Sequence, residues 1–372
     1  MNCVKILCVD DQSANNIQPL LTELELSSEK ISFIREFPSE LPRQVEFISS
    51  LSREHEFFGL LLDLRLDMDF DDEGHQVFYR GPTLAQELRT RMAENDIKAF
   101  PIFLWSVNHK LNKSYKLDVS AHDLFDAVYN KDEHISQSPA LVAREMKSLV
   151  FGYKALGTTD LVTSSALGIT SEEKQNLDPR FFSYVNERSV TRAARKLIDG
   201  LIKPPGLLLD EAMLAARLGV DRALSNDSWV KLLKILEPTK YSGVFCEGWD
   251  RWWWHRVELW WGVLNTSNGT LRKFTASERV TLFNEALGLK LTAATPYKEG
   301  YSEYFSTVCF ATGAPMDTMD GFKISTESDE PWQDPIYVSM DAALERINRH
   351  SWKLHALEMD RYISMKEKLK NG

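Results

Sequence analysis

The sequence predicts an α/β fold of the doubly wound kind for its first part, followed by a mainly α-helical second domain. From residue 4 onward, short apolar runs rich in β-branched residues alternate with longer amphipathic runs. This alternation is typical of βαβ units around a parallel sheet. The runs at 58–62 and 101–105 are almost continuously apolar, as expected for central strands that are buried on both faces.

Five strands and five helices follow from this alternation. The strands are predicted at 4–9, 31–37, 58–64, 100–105 and 125–129, and the helices at 14–26, 41–54, 82–94, 109–121 and 136–150. The last helix runs toward Gly157, where a Thr- and Ser-rich stretch indicates a linker. The predicted organisation is a first domain at 1–155, a linker at 156–172 and a second domain at 173–372.

The second domain has mostly helical periodicity. Helices are predicted at 181–202, 208–218, 227–236, 249–263 and 276–287, with a strand near 302–309 and closing helices between 340 and 370. Six tryptophans fall between residues 249 and 261, on one predicted helix. A helix with so many aromatic side chains is expected in the core, and an exposed surface that docks a partner is the alternative.

Charge and composition limit the partners. The net charge is −10, and residues 1–154 carry 17 basic and 25 acidic side chains. This acidity disfavours binding to nucleic acid. No apolar run approaches the roughly 20 residues that span a bilayer, and the first residues do not resemble a secretory signal. Four irregularly spaced cysteines indicate reduced thiols, so we expect a cytoplasmic protein with no membrane partner.

Polar side chains stand where the apolar strands end. Asp10 and Asp11 follow the first strand, Asp63 the third, Ser106 the fourth and Lys131 the fifth. Ligands of open parallel sheets bind at the carboxyl ends of the strands, so these five side chains are expected to converge. Crowded carboxylates repel one another unless a cation intervenes, and Mg²⁺ prefers oxygen ligands. A carboxylate can also attack a phosphoryl group, with a lysine and a hydroxyl stabilising the transferred oxygens.

Four short motifs carry a family resemblance. They are Val9-Asp10-Asp11, Leu61-Leu62-Asp63-Leu64, Leu104-Trp105-Ser106 and Asn130-Lys131. Over about residues 1–150 the sequence resembles the receiver domain of two-component response regulators. The resemblance implies a flavodoxin-like sheet in the order 2-1-3-4-5.

The resemblance also implies a role for each site residue. Asp63 accepts the phosphoryl group, Ser106 contacts it and Lys131 pairs with it. Asp10, Asp11 and Asp63 bind Mg²⁺ together with the backbone carbonyl of Arg65. The phosphoryl donor would be a bacterial histidine kinase or a phosphotransfer protein. Any catalysis would be the receiver's own autophosphorylation and autodephosphorylation.

The sequence departs from the family pattern near the site. The loop at 64–80 is longer than usual and strongly acidic. Asp132 replaces the proline that usually follows the lysine, and Val107 stands where a small residue is expected. The aromatic switch position holds Val128, with Tyr129 one place later. These changes predict narrower access to the site and a different route for the signal.

The sequence leaves three functions open. The first is a response regulator whose C-terminal domain contacts a protein effector, acting as a switch or as a phosphoryl store. The second is a receiver-like scaffold without phosphoryl chemistry. The third is a DNA-binding regulator that uses a helix-turn-helix near 210–228, although its would-be recognition segment carries two acids and one base. The turn-rich segment 311–335 is expected to be a structural loop, with a catalytic pocket as the alternative.

Overall fold

The computed structural model describes residues 3–70, 74–107, 123–158, 162–264, 269–326 and 330–371. The chain divides into two compact units. The first is Met1–Leu197 with Ser242–Trp249, and the second is Ile198–Tyr241 with Asp250–Gly372. The division thus falls after the predicted linker at 156–172, because three further helices pack into the first unit.

A five-stranded parallel sheet forms the centre of the first unit. The strands are β1 (Val4–Val9), β2 (Ile31–Glu36), β3 (Phe58–Asp63), β4 (Ile102–Ser106) and β5 (Ala127–Asn130). Their order is β2-β1-β3-β4-β5, which confirms the predicted sheet topology. Every residue of β3 and β4 is buried, as their apolar sequences require of strands covered on both faces.

Helices flank this sheet. They are α1 (Ala14–Leu26), α2 (Leu41–Glu54), α3 (Gly81–Ala93) and α4 (Pro139–Leu156). A proline in the first turn starts α2, α3 and α4, where its missing N–H costs no intrahelical hydrogen bond. The helix predicted at 109–121 lies outside the described residues.

The helices that extend the first unit are α5 (Ser171–Asn176), α6 (Pro179–Val185) and α7 (Val190–Leu197). A capping box between Thr170 and Glu173 starts α5. Phe181 and Leu197 are fully buried, so α6 and α7 contribute side chains to a core.

The second unit combines helices with short antiparallel strand pairs. Its helices are α8 (Glu211–Leu218), α9 (Arg222–Ile235), α10 (Trp254–Leu264), α11 (Ala276–Leu287), α12 (Met340–Leu344) and α13 (Met359–Asn371). The strand pairs are β6 (Leu208–Leu209) with β7 (Trp252–Trp253), β8 (Thr307–Val308) with β9 (Pro315–Met316), and β10 (Gly321–Lys323) with β11 (Tyr337–Ser339). The sequence predicted only one strand here, because two- and three-residue strands are too short for a period-2 pattern.

The tryptophan-rich segment is not a single helix, contrary to the prediction. Trp252 and Trp253 lie on β7, and the helix begins only at Trp254. Trp252, Trp253 and Trp261 are buried, which matches the expected core position. Among the described helices, none is both long and apolar enough to cross a membrane.

Candidate functional site

The five predicted site residues are buried at the carboxyl edge of the sheet. β3 ends at Asp63 and β4 at Ser106, while Asp10 directly follows β1 and Lys131 directly follows β5. Parallel pairing places Val9 opposite Leu62 and Asp63 opposite Trp105, which brings these strand ends to one edge. None of the five is more than 4% exposed: Asp10, Asp11, Asp63, Ser106 and Lys131.

Lys131 joins two of the carboxylates. Its Nζ donates to Asp10 Oδ2 at 2.6 Å and to Asp63 Oδ1 at 2.9 Å. The local backbone fixes this lysine, because the Asn130 side chain accepts a hydrogen bond from Asp132 N and caps a π-helical turn at Lys131–Ile135. One ammonium therefore bridges the ends of β1 and β3 from the end of β5.

Burial and charge shift the pKa values of this cluster. Burial of the carboxylate raises the pKa of Asp10 to about 6, and repulsion by Asp63 is the second largest cause. The Lys131 ammonium opposes this shift. Burial alone would lower the pKa of the Lys131 ammonium, but attraction by Asp63 and Asp10 outweighs burial and raises it. The site therefore holds one buried cation beside more negative charge than it can neutralise.

Both carboxylate oxygens of Asp63 accept hydrogen bonds. Oδ1 accepts from Lys131 Nζ, and Oδ2 accepts from the backbone N–H of Arg65 at 2.9 Å. The Arg65 amide comes from the first residues after β3, where the chain turns away from the sheet. These two bonds hold the side chain of Asp63 in one orientation.

Ser106 contributes a buried hydroxyl to the same edge. Its Oγ has no hydrogen-bond partner among the described residues, although the residue is 0% exposed. Buried hydroxyls are normally hydrogen-bonded, and an unpaired one is typical of a site that receives a ligand or water. The preceding Trp105 places its ring 4.6 Å from Lys131 Nζ, a cation–π distance.

Asp11 is held by the long loop that follows β3. Its Oδ2 accepts from the backbone N–H of Met68 at 2.7 Å and of Asp69 at 3.2 Å. Burial raises the pKa of Asp11, and these two amide bonds oppose that shift. The acidic loop is thus in direct contact with the predicted metal ligands. Its residues 71–73 lie outside the described residues.

The predicted Mg²⁺ ligands Asp10, Asp11 and Asp63 already have partners within the protein. In the described part of the chain, no three side chains of His, Cys, Asp or Glu are grouped as a ready metal site. Asp10 and Asp63 instead share the Lys131 ammonium, while Asp11 binds backbone amides. The chemistry still fits a hard cation, because Asp10, Asp11 and Asp63 place three buried carboxylates at one edge of the sheet, and a single ammonium contacts two of them.

The aromatic residue expected near the switch position is buried. Tyr129 is 3% exposed and its hydroxyl lies 3.4 Å from Glu145 Oε2 on α4. Burial raises the pKa of Tyr129 well above its usual value. Val128, at the usual switch position, packs against the core.

Three contacts of the site were not predicted from the sequence. The amides of Met68 and Asp69 bind Asp11, and no sequence pattern marks a backbone donor from a long loop. The contact between the Trp105 ring and Lys131 could have been predicted, because the sequence places an aromatic residue directly before Ser106.

Comparison with known proteins does not assign this chain to a family. No family model matches it, and no curated protein matches its sequence. Fold and site together define an α/β protein whose doubly wound sheet carries a buried Asp–Lys cluster at its carboxyl edge.

Proposed function

We propose that this protein is a response regulator whose Asp63 accepts a phosphoryl group from a histidine kinase or a phosphotransfer protein. The observation that carries the proposal is the position of Lys131, whose ammonium contacts Asp63 and Asp10 at the carboxyl edge of the sheet. The unpartnered hydroxyl of Ser106 at the same edge supports it.

The transfer uses groups of this chain. An oxygen of the Asp63 carboxylate forms a P–O bond while the P–N bond of the donor's phosphohistidine breaks. The electron pair stays on the donor's imidazole, which takes up a proton from water. Lys131 and the Ser106 hydroxyl stabilise the negative oxygens of the group as it moves. Asp63 Oδ1 already contacts Lys131, so the cation is in place before the transfer.

Asp10, Asp11 and Asp63 would hold Mg²⁺, together with the carbonyl of Arg65. The metal would supply positive charge to the transferred oxygens and reduce repulsion among the carboxylates. Lys131 contacts Asp10 and Asp63 and provides part of that compensation itself.

The second unit serves as the output in this proposal. A phosphoryl group on Asp63 shifts a pre-existing conformational equilibrium of the receiver, and the second unit reads that shift through a protein effector. A chain without such an effector would act as a phosphoryl store. In either case the protein works in the cytoplasm, without nucleic acid or membrane as partner.

Acetyl phosphate tests the chemistry without a kinase. Wild type and Asp63→Asn are incubated with acetyl phosphate, with and without Mg²⁺, and weighed by intact-protein mass spectrometry. We expect a Mg²⁺-dependent gain of one phosphoryl group in the wild type and none in the variant. An equal gain in both proteins, or no gain in either, contradicts the proposal.

One observation favours the scaffold alternative. Both oxygens of Asp63 already accept hydrogen bonds, so this carboxylate has its hydrogen-bond partners without a phosphoryl group. As a scaffold the chain would bind its partner equally well with Asn at position 63. Loss of function in cells that carry Asp63→Asn would exclude this alternative.

A further inference from the structure

A cleft lies at the amino edge of the five-stranded sheet, opposite the edge that carries Asp63. It encloses about 1110 Å³, and every residue that lines it belongs to the first unit. Its walls are the ends of α2 and α4, the chain that leads from α3 into β4, and the start of α7. Phe58, the first residue of β3, lines the cleft, and the length of that strand, roughly 16 Å, separates it from Asp63. The cleft is therefore a second site, separate from the Asp–Lys cluster.

The wall at the start of α7 is held by contacts with the rest of the first unit. Arg89 Nη1 donates to Thr191 Oγ1 at 3.5 Å, and the same guanidinium pairs with Asp126 at 2.7 Å. Neither side chain of that ion pair is more than 9% exposed. One turn further along α7, Arg195 pairs with Asp123 at 2.8 Å. The cleft is thus bounded by a helix that is fixed to the sheet.

Apolar side chains form the inner part of the cleft. Phe58, Phe100 and Tyr153 line it and are each no more than 4% exposed. The rings of Phe58 and Phe100 pack edge to face with their centroids 4.9 Å apart. Val150 and Ile97 extend the same wall and are also buried. A ligand that enters the cleft therefore meets an apolar wall at its inner end.

The outer part of the cleft is positive. Five basic and three acidic side chains line it. Lys154 pairs with Glu56 at 2.9 Å, and Glu187 pairs with Lys196 at 2.8 Å, which leaves one acid against four basic side chains. These four are exposed and form no ion pair in the described part of the chain: Arg53, Lys98, Arg188 and Arg192.

This positive charge is local, because the protein as a whole is acidic. The net charge is −10, and residues 1–154 carry 17 basic and 25 acidic side chains. A long polyanion such as a nucleic acid would be repelled by the surrounding surface, whereas a small anion meets only the charges of the cleft. The electrostatics therefore favour a small anion.

Size and lining together define the class of that anion. A sugar phosphate would leave most of the volume empty and the apolar wall uncovered. A fatty acid would bring a single negative charge to four cations. Three of those cations are arginines, whose planar guanidinium groups bind phosphate oxygens through paired hydrogen bonds. A molecule with an apolar ring and several phosphate charges matches both parts of the cleft.

We propose that the cleft binds a nucleoside phosphate. Its phosphates lie at Arg188 and Arg192, which flank the start of α7, where the helix adds partial positive charge. Its base lies toward Phe58 and Phe100. This site does not depend on phosphoryl chemistry at Asp63.

Calorimetric titration of the full chain in EDTA tests the proposal. The probes are ATP, GTP, CTP and UTP, with adenosine and inorganic tripolyphosphate as the two halves of the ligand. The variant Arg188→Gln/Arg192→Gln removes two exposed cations of the cleft. The matched control Lys174→Gln/Arg180→Gln removes two positive charges of the first unit that do not line the cleft. Circular dichroism checks that each variant is folded.

We expect at least one of the four nucleotides to bind the wild type with one site per chain. The cleft variant should weaken this binding about tenfold or more, because charge-assisted hydrogen bonds to the phosphates are lost. The control and Asp63→Asn should bind as the wild type does. Adenosine and tripolyphosphate should each bind at least about tenfold more weakly than the nucleotide, because each reaches only one part of the cleft.

Three results overturn the proposal. None of the four nucleotides binds the wild type with a Kd below about 1 mM. Alternatively, the control weakens binding as much as the cleft variant does, so that the overall charge of the protein governs the interaction. Tripolyphosphate that binds as tightly as the nucleotide would show that the apolar wall takes no part. Loss of binding in Asp63→Asn alone would place the nucleotide at the other edge of the sheet and equally exclude the cleft.

Discussion

The Lys131 ammonium lies 2.9 Å from an oxygen of Asp63, although 68 residues separate them in sequence. Neither group is more than 5% exposed. Two buried charges at this distance depend on each other, because removing one leaves the other unpaired in a poorly solvated place. The contact is thus a structural element of the free protein and, in our proposal, part of its chemistry.

Lys131→Met should destabilise the first unit by about 3–5 kcal/mol, because it leaves the carboxylates of Asp10 and Asp63 without their cation. Urea unfolding measures the change. The control Lys203→Met breaks an exposed pair with Asp199, and its cost should be less than about 1 kcal/mol. Equal costs for the two variants would show that the buried bridge contributes no more than a surface pair.

The pKa of Asp10 predicts a pH dependence of stability. Because the folded pKa is raised to about 6 from 3.8, the native state binds the proton more tightly than the unfolded chain does. The contribution of Asp10 to stability therefore rises as the pH falls from 7 through 6 toward 4. Measured in EDTA, the free energy of unfolding of Asp10→Asn relative to wild type should increase with pH and level off above about pH 7. A difference that does not vary with pH contradicts this prediction.

Mg²⁺ should raise the thermal midpoint of the wild type, because a ligand that binds only the folded state stabilises it. At a hundred times its Kd the gain is about 2.7 kcal/mol. Asp10→Asn and Asp11→Asn should lose most of this gain, whereas Asp199→Asn on the surface of the second unit should keep it. A shift of the same size in all four proteins would point to a salt effect instead of a site.

Ser106→Ala should slow phosphoryl labelling while leaving the stability of the protein almost unchanged. The hydroxyl has no partner in the described structure, so its removal should change stability by no more than about 0.5 kcal/mol. Labelling by acetyl phosphate should slow on the order of 10²-fold, because one donor to the transferred oxygens is lost. In the control Ser225→Ala, Thr292 N loses its acceptor, and we expect a cost of about 1–3 kcal/mol without slower labelling. Normal labelling of Ser106→Ala would remove this serine from the mechanism.

Gly81→Ala should disturb the end of β3. The added Cβ meets the Asp63 carbonyl oxygen at 2.3 Å, so the backbone must move, at a cost of about 1–3 kcal/mol. Gly262→Ala on α10 meets nothing within 4 Å and should stabilise the helix by about 0.5–1 kcal/mol. Thermal unfolding of both variants checks the contrast. A neutral Gly81→Ala would show that the chain packs loosely where Gly81 approaches Asp63.

The first unit was predictable because its signals are local and periodic. Predicted strands such as 58–64 match the structure within a residue or two, and the predicted helices 14–26 and 41–54 match in full. Five polar residues at strand ends predicted a meeting point at one edge of the sheet, since parallel strands bring their carboxyl ends together. The predicted closeness of Asp10, Asp63 and Lys131 is confirmed by direct contacts.

The remaining features depend on contacts that no local pattern encodes. The amides of Met68 and Asp69 reach Asp11 across 57 and 58 residues of sequence, respectively. The tryptophans at 252 and 253 form a strand because they pair with Leu209 and Leu208, whereas their spacing alone suited a helix. In the second unit, tertiary pairing of very short segments overrides the helical periodicity.

The most direct measurement locates the phosphoryl group on the chain. Wild type is treated with acetyl phosphate and Mg²⁺, the acyl phosphate is reduced with borohydride, and the peptides are sequenced by mass spectrometry. Our account predicts that residue 63 alone is reduced to homoserine, and that untreated protein shows no reduction. Reduction at another carboxylate, or at none, would contradict the assignment of Asp63 as the phosphoryl acceptor.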